Sequence, residues 1–387
     1  MYPDVTINTT EDWQSFTKPE EGVQMDVIVD PMIYRTADVF LRGKTGVSST
    51  FGSTEQVQTA IKRNIDSLTT FFDSFVLSEN LPIIDYGITF DPHVGLDSFD
   101  IIERCNQRER VLISVHVCGP AAEEARQAAL ELLKNKTAVP EPLAEGLREE
   151  MSALEYQWKP DLSSLGPMQE SELPVNRFLY GAALFGAFAH KAGVGHLFQP
   201  QRSQIYLAAS LRADSALAQD EKNLYKKLGE IMSHASGPTN STAELDGLPP
   251  FLPYLLSKDP KTPNHLLSEA AALRKTAMVQ DYRDWRNGLI REWREKGVIR
   301  AQYRKELSSI AQNLKKEMGA PAASDVELKV SMTGLDPSWK VPVDRIWGWI
   351  YSQLPGRRYM KLLTRMALAE AEYEQIDKHV RTIWNAA

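Results

Sequence analysis

The apolar run Phe178 to Ala189 constrains the fold of this chain more than any other stretch. Phe178, Leu179, Tyr180, Leu184, Phe185 and Phe188 alternate with Gly181, Ala182, Ala183, Gly186, Ala187 and Ala189. A helix that is apolar nearly all round has no face for water and must be enclosed by other elements. Its glycines lower helix propensity, a cost offset where a neighbouring backbone comes close. The run is shorter than the roughly 20 apolar residues a membrane span needs, and His190 and Lys191 follow it directly. The pattern therefore predicts a buried helix that begins near Asn176 and Arg177 and is ended by Gly193 and Gly195. Its position just after a proline-rich stretch predicts that it forms the centre of a C-terminal helical domain. QPQRSQIYLAAS, which follows, reads as a turn into another apolar element.

A chain of 387 residues has room for two cores, since a single one stops growing near roughly 250–300 residues. With 43% hydrophobic and 25% charged residues, the composition is that of a soluble globular protein without a membrane segment. The formal net charge of −7 disfavours nucleic-acid binding through overall charge. The two cysteines, Cys105 and Cys118, have neither metal-ligand spacing nor a disulfide framework, which fits a reducing compartment. The first residues, MYPDVTINTTEDWQSF, are polar and acidic rather than signal-like. Cytoplasmic localisation is the expectation.

Strands are predicted at Val23–Asp30, Leu81–Phe90 and Arg110–Val117, from their β-branched and alternating apolar residues. Residues 1 to 22 show no periodicity and read as a lead-in. Helices are predicted at Arg35–Leu41, through TEQVQTAIKRNIDSLTTFFDSFVL, at Leu96–Asn106 and from Gly119-Pro120 onward. Alternating strands and helices favour an α/β domain with a small, mainly parallel sheet, with an α+β layer as the alternative. Prolines, glycines and acids over Lys136–Pro174 mark a linker around a helix at Leu143–Trp158. This places an α/β domain at 1–160 and a larger, mostly helical domain at 171–387, with a Trp-rich C-terminal region. Helices are expected there at Ser215–Ser233, Asn264–Gln280 and Asp281–Met318, a late strand at Val326–Met332, and a last helix from about Arg357 to Trp384.

Ligands of parallel α/β sheets bind beyond the carboxyl ends of the strands. The predicted strands bring Asp30, Asp91, His116 and Cys118 to that edge. Asp30 directly after VIV has the placement of a carboxylate that holds Mg²⁺ or Mn²⁺, or of a turn residue before Pro31. His116 and Cys118, two apart on one strand, share a face, and Cys118 precedes a helix start, as a nucleophilic thiol would. Glu123 and Glu124 in the first turns oppose a thiolate there. Gly43-Lys44-Thr45 lacks the earlier glycine of a phosphate loop, Asp38 standing in its place. His190, His196 and Arg202 flank the end of the apolar helix and form a candidate ligand pocket, or a helix cap and a loop anchor.

Tyr282, Trp285, Leu289, Trp293 and Ile299 recur at helical spacing among balanced acids and bases. Such a stripe packs against the protein's own core or a partner helix rather than against nucleic acid. Trp285, Trp293, Trp347 and Trp349 are the expected interaction residues. The sequence thus predicts a non-catalytic interaction or regulatory protein with a protein partner or self-association. The alternative is a metal- or thiol-dependent enzyme, hydrolase- or nuclease-like, at the edge of the N-terminal sheet.

Overall fold

The computed structural model describes residues 4–15, 27–44, 54–86, 99–109, 111–133, 145, 148, 162–168, 173–199, 202, 250–296, 326–329, 338–341, 359, 362, 363, 365, 366, 369 and 376–386. Five short strands form parallel pairings in two small sheets. β1 (Asp4–Ile7) pairs with β4 (Leu112–Val117), which pairs with β3 (Leu81–Tyr86). β2 (Val27–Val29) pairs with β5 (Gly195–Leu197) as a separate two-stranded sheet, with β2 packed near β3. Parallel strands are covered on both faces, and β4 shows it: neighbours Leu112 and Ile113 are both buried, as are Val115 and Val117. The predicted small parallel sheet is therefore present, with mostly helical structure after it.

β1 and β5 were not expected from the sequence. Strands of 4 and 3 residues are too short to display a period, and Gly195 reads equally well as a helix stop. Helix α1 (Thr10–Ser15) lies in the same unpredicted lead-in, its start held by Asp12, which accepts the Asn8 and Thr9 amides at 2.8 Å. α2 (Pro31–Arg42) is longer than predicted, because Asp30 caps it and Pro31 occupies its first turn, where a missing N–H does no harm. The helix expected from Thr54 to Leu77 is two, α3 (Thr54–Arg63) and α4 (Ile65–Leu77), separated at Asn64. The Asn64 side chain donates to its own preceding turn, at Ala60 O, over 2.9 Å. The Asn64 backbone amide is shared between the Ala60 and Ile61 carbonyls at 3.1 Å, and Asn64 leaves the helical conformation at φ −112°. α5 (Phe99–Asn106) and α6 (Gly119–Leu133) complete the layer.

The apolar run lies in α7 (Leu173–Ala192). It is not the centre of a separate helical domain as expected. α7 packs on α6, α1, β2 and β5, and Trp13 of α1 stacks on Phe188 at 5.4 Å. Enclosure by sheet on one side and helices on others is what its apolar circumference demands.

The chain forms two compact units, the first comprising Met1–Asn223, Lys261–Leu267 and Val380–Ala387, the second Leu224–Pro260 and Ser268–His379. The first unit extends past the Lys136–Pro174 stretch read as a linker. In the second, α8 (Phe251–Leu256) places Phe251 6.1 Å from Tyr282 of α10 (Ala277–Lys296), ring centre to ring centre. The break before α10 falls at Lys275 and Thr276, after α9 (Pro263–Arg274), and not at Gln280. The predicted late strand appears as β6 (Val326–Lys329), antiparallel to β7 (Ser338–Val341). The helices expected at 143–158 and 215–233 lie outside the described residues, apart from Glu145 and Arg148, which are helical.

The last helix, α11 (Ile376–Asn385), buries Val380, Ile383 and Trp384. The Trp384 indole N–H donates to the carbonyl of Val39 at 3.3 Å, 345 residues away in sequence. Val39 carries one of the last four carbonyls of α2, which a helix cannot satisfy by itself. The neighbouring Phe40 carbonyl is served by Gly43 N at 3.1 Å, with Gly43 at φ 69°. Trp384→Ala should lower the unfolding free energy by about 3–5 kcal/mol, and Trp384→Phe by less, both read from urea midpoints. An unchanged midpoint for the alanine variant would contradict a core role for this helix.

Candidate functional site

The best-defined polar constellation lies where β2 and β5 end. Val27, Ile28 and Val29 are all buried, and Asp30 continues the ladder by donating its N–H to Leu197 O at 2.9 Å. Its carboxylate turns onto the start of α2, where Oδ1 accepts the Met32 amide at 2.9 Å. The same oxygen accepts Arg202 Nη1 at 2.7 Å, and both side chains are wholly buried. Oδ2 faces the Gln199 amide at 3.4 Å. Gln199, just beyond β5, accepts the Arg202 amide at 2.8 Å and donates to Asn64 Oδ1 at 2.9 Å. Ser67 of α4 also approaches that oxygen, at 3.4 Å. The Arg202 guanidinium lies 4.6 Å over the ring of Phe178, the first residue of the apolar run.

A buried ion pair gains from its attraction only when the remaining donors and acceptors are met, and here the Met32 and Gln199 amides serve the carboxylate side of the pair. The network joins the start of α2, the junction of α3 and α4, the end of β5 and the face of α7. Asp30 already has a guanidinium counter-ion, so a cation at this carboxylate would have to displace Arg202. Among the described residues no three His, Cys, Asp or Glu side chains gather as metal ligands.

His196 sits on β5 opposite Ile28, buried, its ring centre 3.8 Å from that of Phe198. Neither ring nitrogen has a hydrogen-bond partner among the described residues. Burial above all, and then the positive charge of Arg202, depress its pKa from 6.5 to about 3. His196 is therefore a neutral ring at ordinary pH.

The other predicted residues are dispersed. Cys118 lies on the other sheet, where β4 and β1 end, with Sγ 2.6 Å from Asn8 Oδ1 and 3.6 Å from Ile7 O. Its carbonyl accepts the Ala122 amide at 3.3 Å, which puts it at the start of α6. Here a thiol donates to a neutral amide oxygen. His116 is half-buried in β4, level with Thr6 and Asp85. His190 is exposed in the last turn of α7, whereas His196 and Arg202 are enclosed. Trp285, expected at an interaction surface, is 7% exposed and stacks on Tyr282 and Tyr359 at 5.9 and 5.0 Å. It belongs to the packing of the second unit. Trp293 lies in α10, but its side chain is outside the described residues, as are Asp91, Trp347 and Trp349 entirely.

The structure thus unites Arg202 with Asp30, residues that the sequence offered to two different sites, and places His196 in the same surroundings. It adds Asn64 and Gln199. Asn64 left a trace in the sequence, a polar residue amid AIKRNIDSL where a helical core position would be apolar. Gln199 left none. Comparison with protein-family models, curated proteins and solved structures finds no match to this chain.

The sign of the His196 effect follows from its depressed pKa. Folded and unfolded chains are both neutral at this ring above pH 6.5; below it the unfolded chain takes up the proton first. Stability should fall from about pH 6.5 toward about 3, with a slope contribution of up to about 1.4 kcal/mol per pH unit. Urea melts of His196→Leu between pH 7 and 5 should lack that contribution and show no loss at pH 7. Equal slopes for variant and parent would contradict a buried neutral His196.

Proposed function

We propose that this chain is a non-catalytic interaction component acting through protein contacts, with self-association the first form to test. The observation that carries the reading is the Asp30–Arg202 pair. The carboxylate in the most catalytic-looking position of the sheet edge caps a helix and neutralises a buried guanidinium. The thiol after β4, in the other sheet, is likewise engaged with the neutral Asn8 amide.

The helices supply polar faces suited to contacts. On α10, Ala277, Gln280, Asp284 and Asn287 are exposed at three- and four-residue spacing, while Val279, Tyr282 and Trp285 are buried. On α6, Glu123, Gln127 and Glu131 are exposed in the same manner. Cys105 and Cys118 are both free thiols, which fits the cytoplasm proposed here. Among the described residues no helix is long and apolar enough to cross a membrane. The acidic balance of the chain disfavours nucleic acid as the partner.

Sedimentation velocity across a range of concentrations tests the reading. A mass rising toward twice the 43.6 kDa of one chain is the expected result. A 43.6 kDa species throughout, with no partner retained when the chain is purified from its source cells, would contradict it.

A further inference from the structure

We propose that the carboxyl ends of β1 and β4 form a site for a thiophilic divalent metal ion, of the Zn²⁺ class, held by Cys118, His116 and Asn8. The inference goes beyond the interaction reading and does not depend on it. The ladder runs on past β4, since the Cys118 N–H donates to Ile7 O at 2.9 Å. Thr6 is level with His116 and Ile7 with Val117, so strand alternation puts Thr6, Asn8, His116 and Cys118 on one face. Exposure agrees with that placement. Ile7, Val115 and Val117 are buried, His116 and Cys118 are half-buried, and Thr6 and Asn8 are exposed. Gly119 and Pro120, which follow at the start of α6, are exposed as well, so this end of the face opens to solvent.

Two donors already meet there, Cys118 Sγ and Asn8 Oδ1, 2.6 Å apart. The thiol proton joins them, and a cation can take its place: Cys–SH and M²⁺ give Cys–S–M⁺ and a released proton. His116 stands two residues back on the same face, roughly 6.6 Å along the strand at about 3.3 Å per residue. That spacing lets a thiolate at about 2.3 Å and an imidazole nitrogen at about 2.0 Å reach one ion. Thiolate with imidazole selects zinc over magnesium or calcium. The set holds two of the usual ligand types and takes its third donor from an amide. Cys105, the other free thiol, is wholly buried, so thiol chemistry in the folded chain reports on Cys118.

Co²⁺ titrated into the reduced, metal-free full chain without oxygen is the test. The expected result is a thiolate-to-cobalt charge-transfer band that saturates at one ion per chain and disappears when Zn²⁺ is added. Cys118→Ser should abolish the band, and His116→Ala should weaken binding at least about tenfold. Urea midpoints in the presence of a chelator check that both variants fold. The parent chain gives a second reading without any variant: Zn²⁺ should slow alkylation of Cys118 by iodoacetamide. Cobalt bound without the band, a band that survives Cys118→Ser, unchanged affinity in His116→Ala, or alkylation indifferent to zinc would each overturn the proposal.

Discussion

A carboxylate and a guanidinium buried together set the terms for the first unit of this protein. Desolvation of such a pair costs several kcal/mol per ion before any attraction is counted. Asp30 and Arg202 offset part of that cost with a 2.7 Å contact, with the Met32 and Gln199 amides on the carboxylate and Asn64 holding Gln199. The pair works only if β5 ends beside β2, if α3 stops at Asn64, and if α7 lays Phe178 beneath the guanidinium. Each of these is a long-range condition, so the network specifies one arrangement of elements more than it adds net stability.

The same logic operates along α2. Its first turn is capped by Asp30, which is fixed by a residue 172 positions later. A carbonyl of its last turn is met by Trp384, from 345 positions later. A helix packed between these two anchors has both ends determined by distant parts of the chain. The second unit is organised differently, by aromatic stacking of Tyr282, Trp285 and Tyr359 and by the antiparallel β6–β7 pair.

Much of the fold was legible where segments were long enough to show a period. β4, α6 and the buried α7 follow from RVLISVHV, from Gly119-Pro120 and from the run of small and aromatic residues. β1 and β5 were not legible, because they are strands by virtue of pairing and carry no pattern of their own. The site was legible only in parts. Asp30, His196 and Arg202 stood out by residue type, but their proximity depends on a β2–β5 pairing that the sequence does not reveal. Trp285 misled for the opposite reason. An aromatic stripe looks alike whether its partner is another molecule or, as here, Tyr359 of the same chain.

The central claim is that Asp30 and Arg202 form a structural lock. A double-mutant cycle of Asp30→Asn, Arg202→Met and their combination, followed by urea unfolding at pH 7, tests it most directly. The account predicts that removing Arg202 alone costs about 3–5 kcal/mol, because a buried charge is left without its partner. The double variant should then lose at least about 2 kcal/mol less than the sum of the single losses. Strictly additive losses, or an Asp30 variant as stable as the parent, would contradict it.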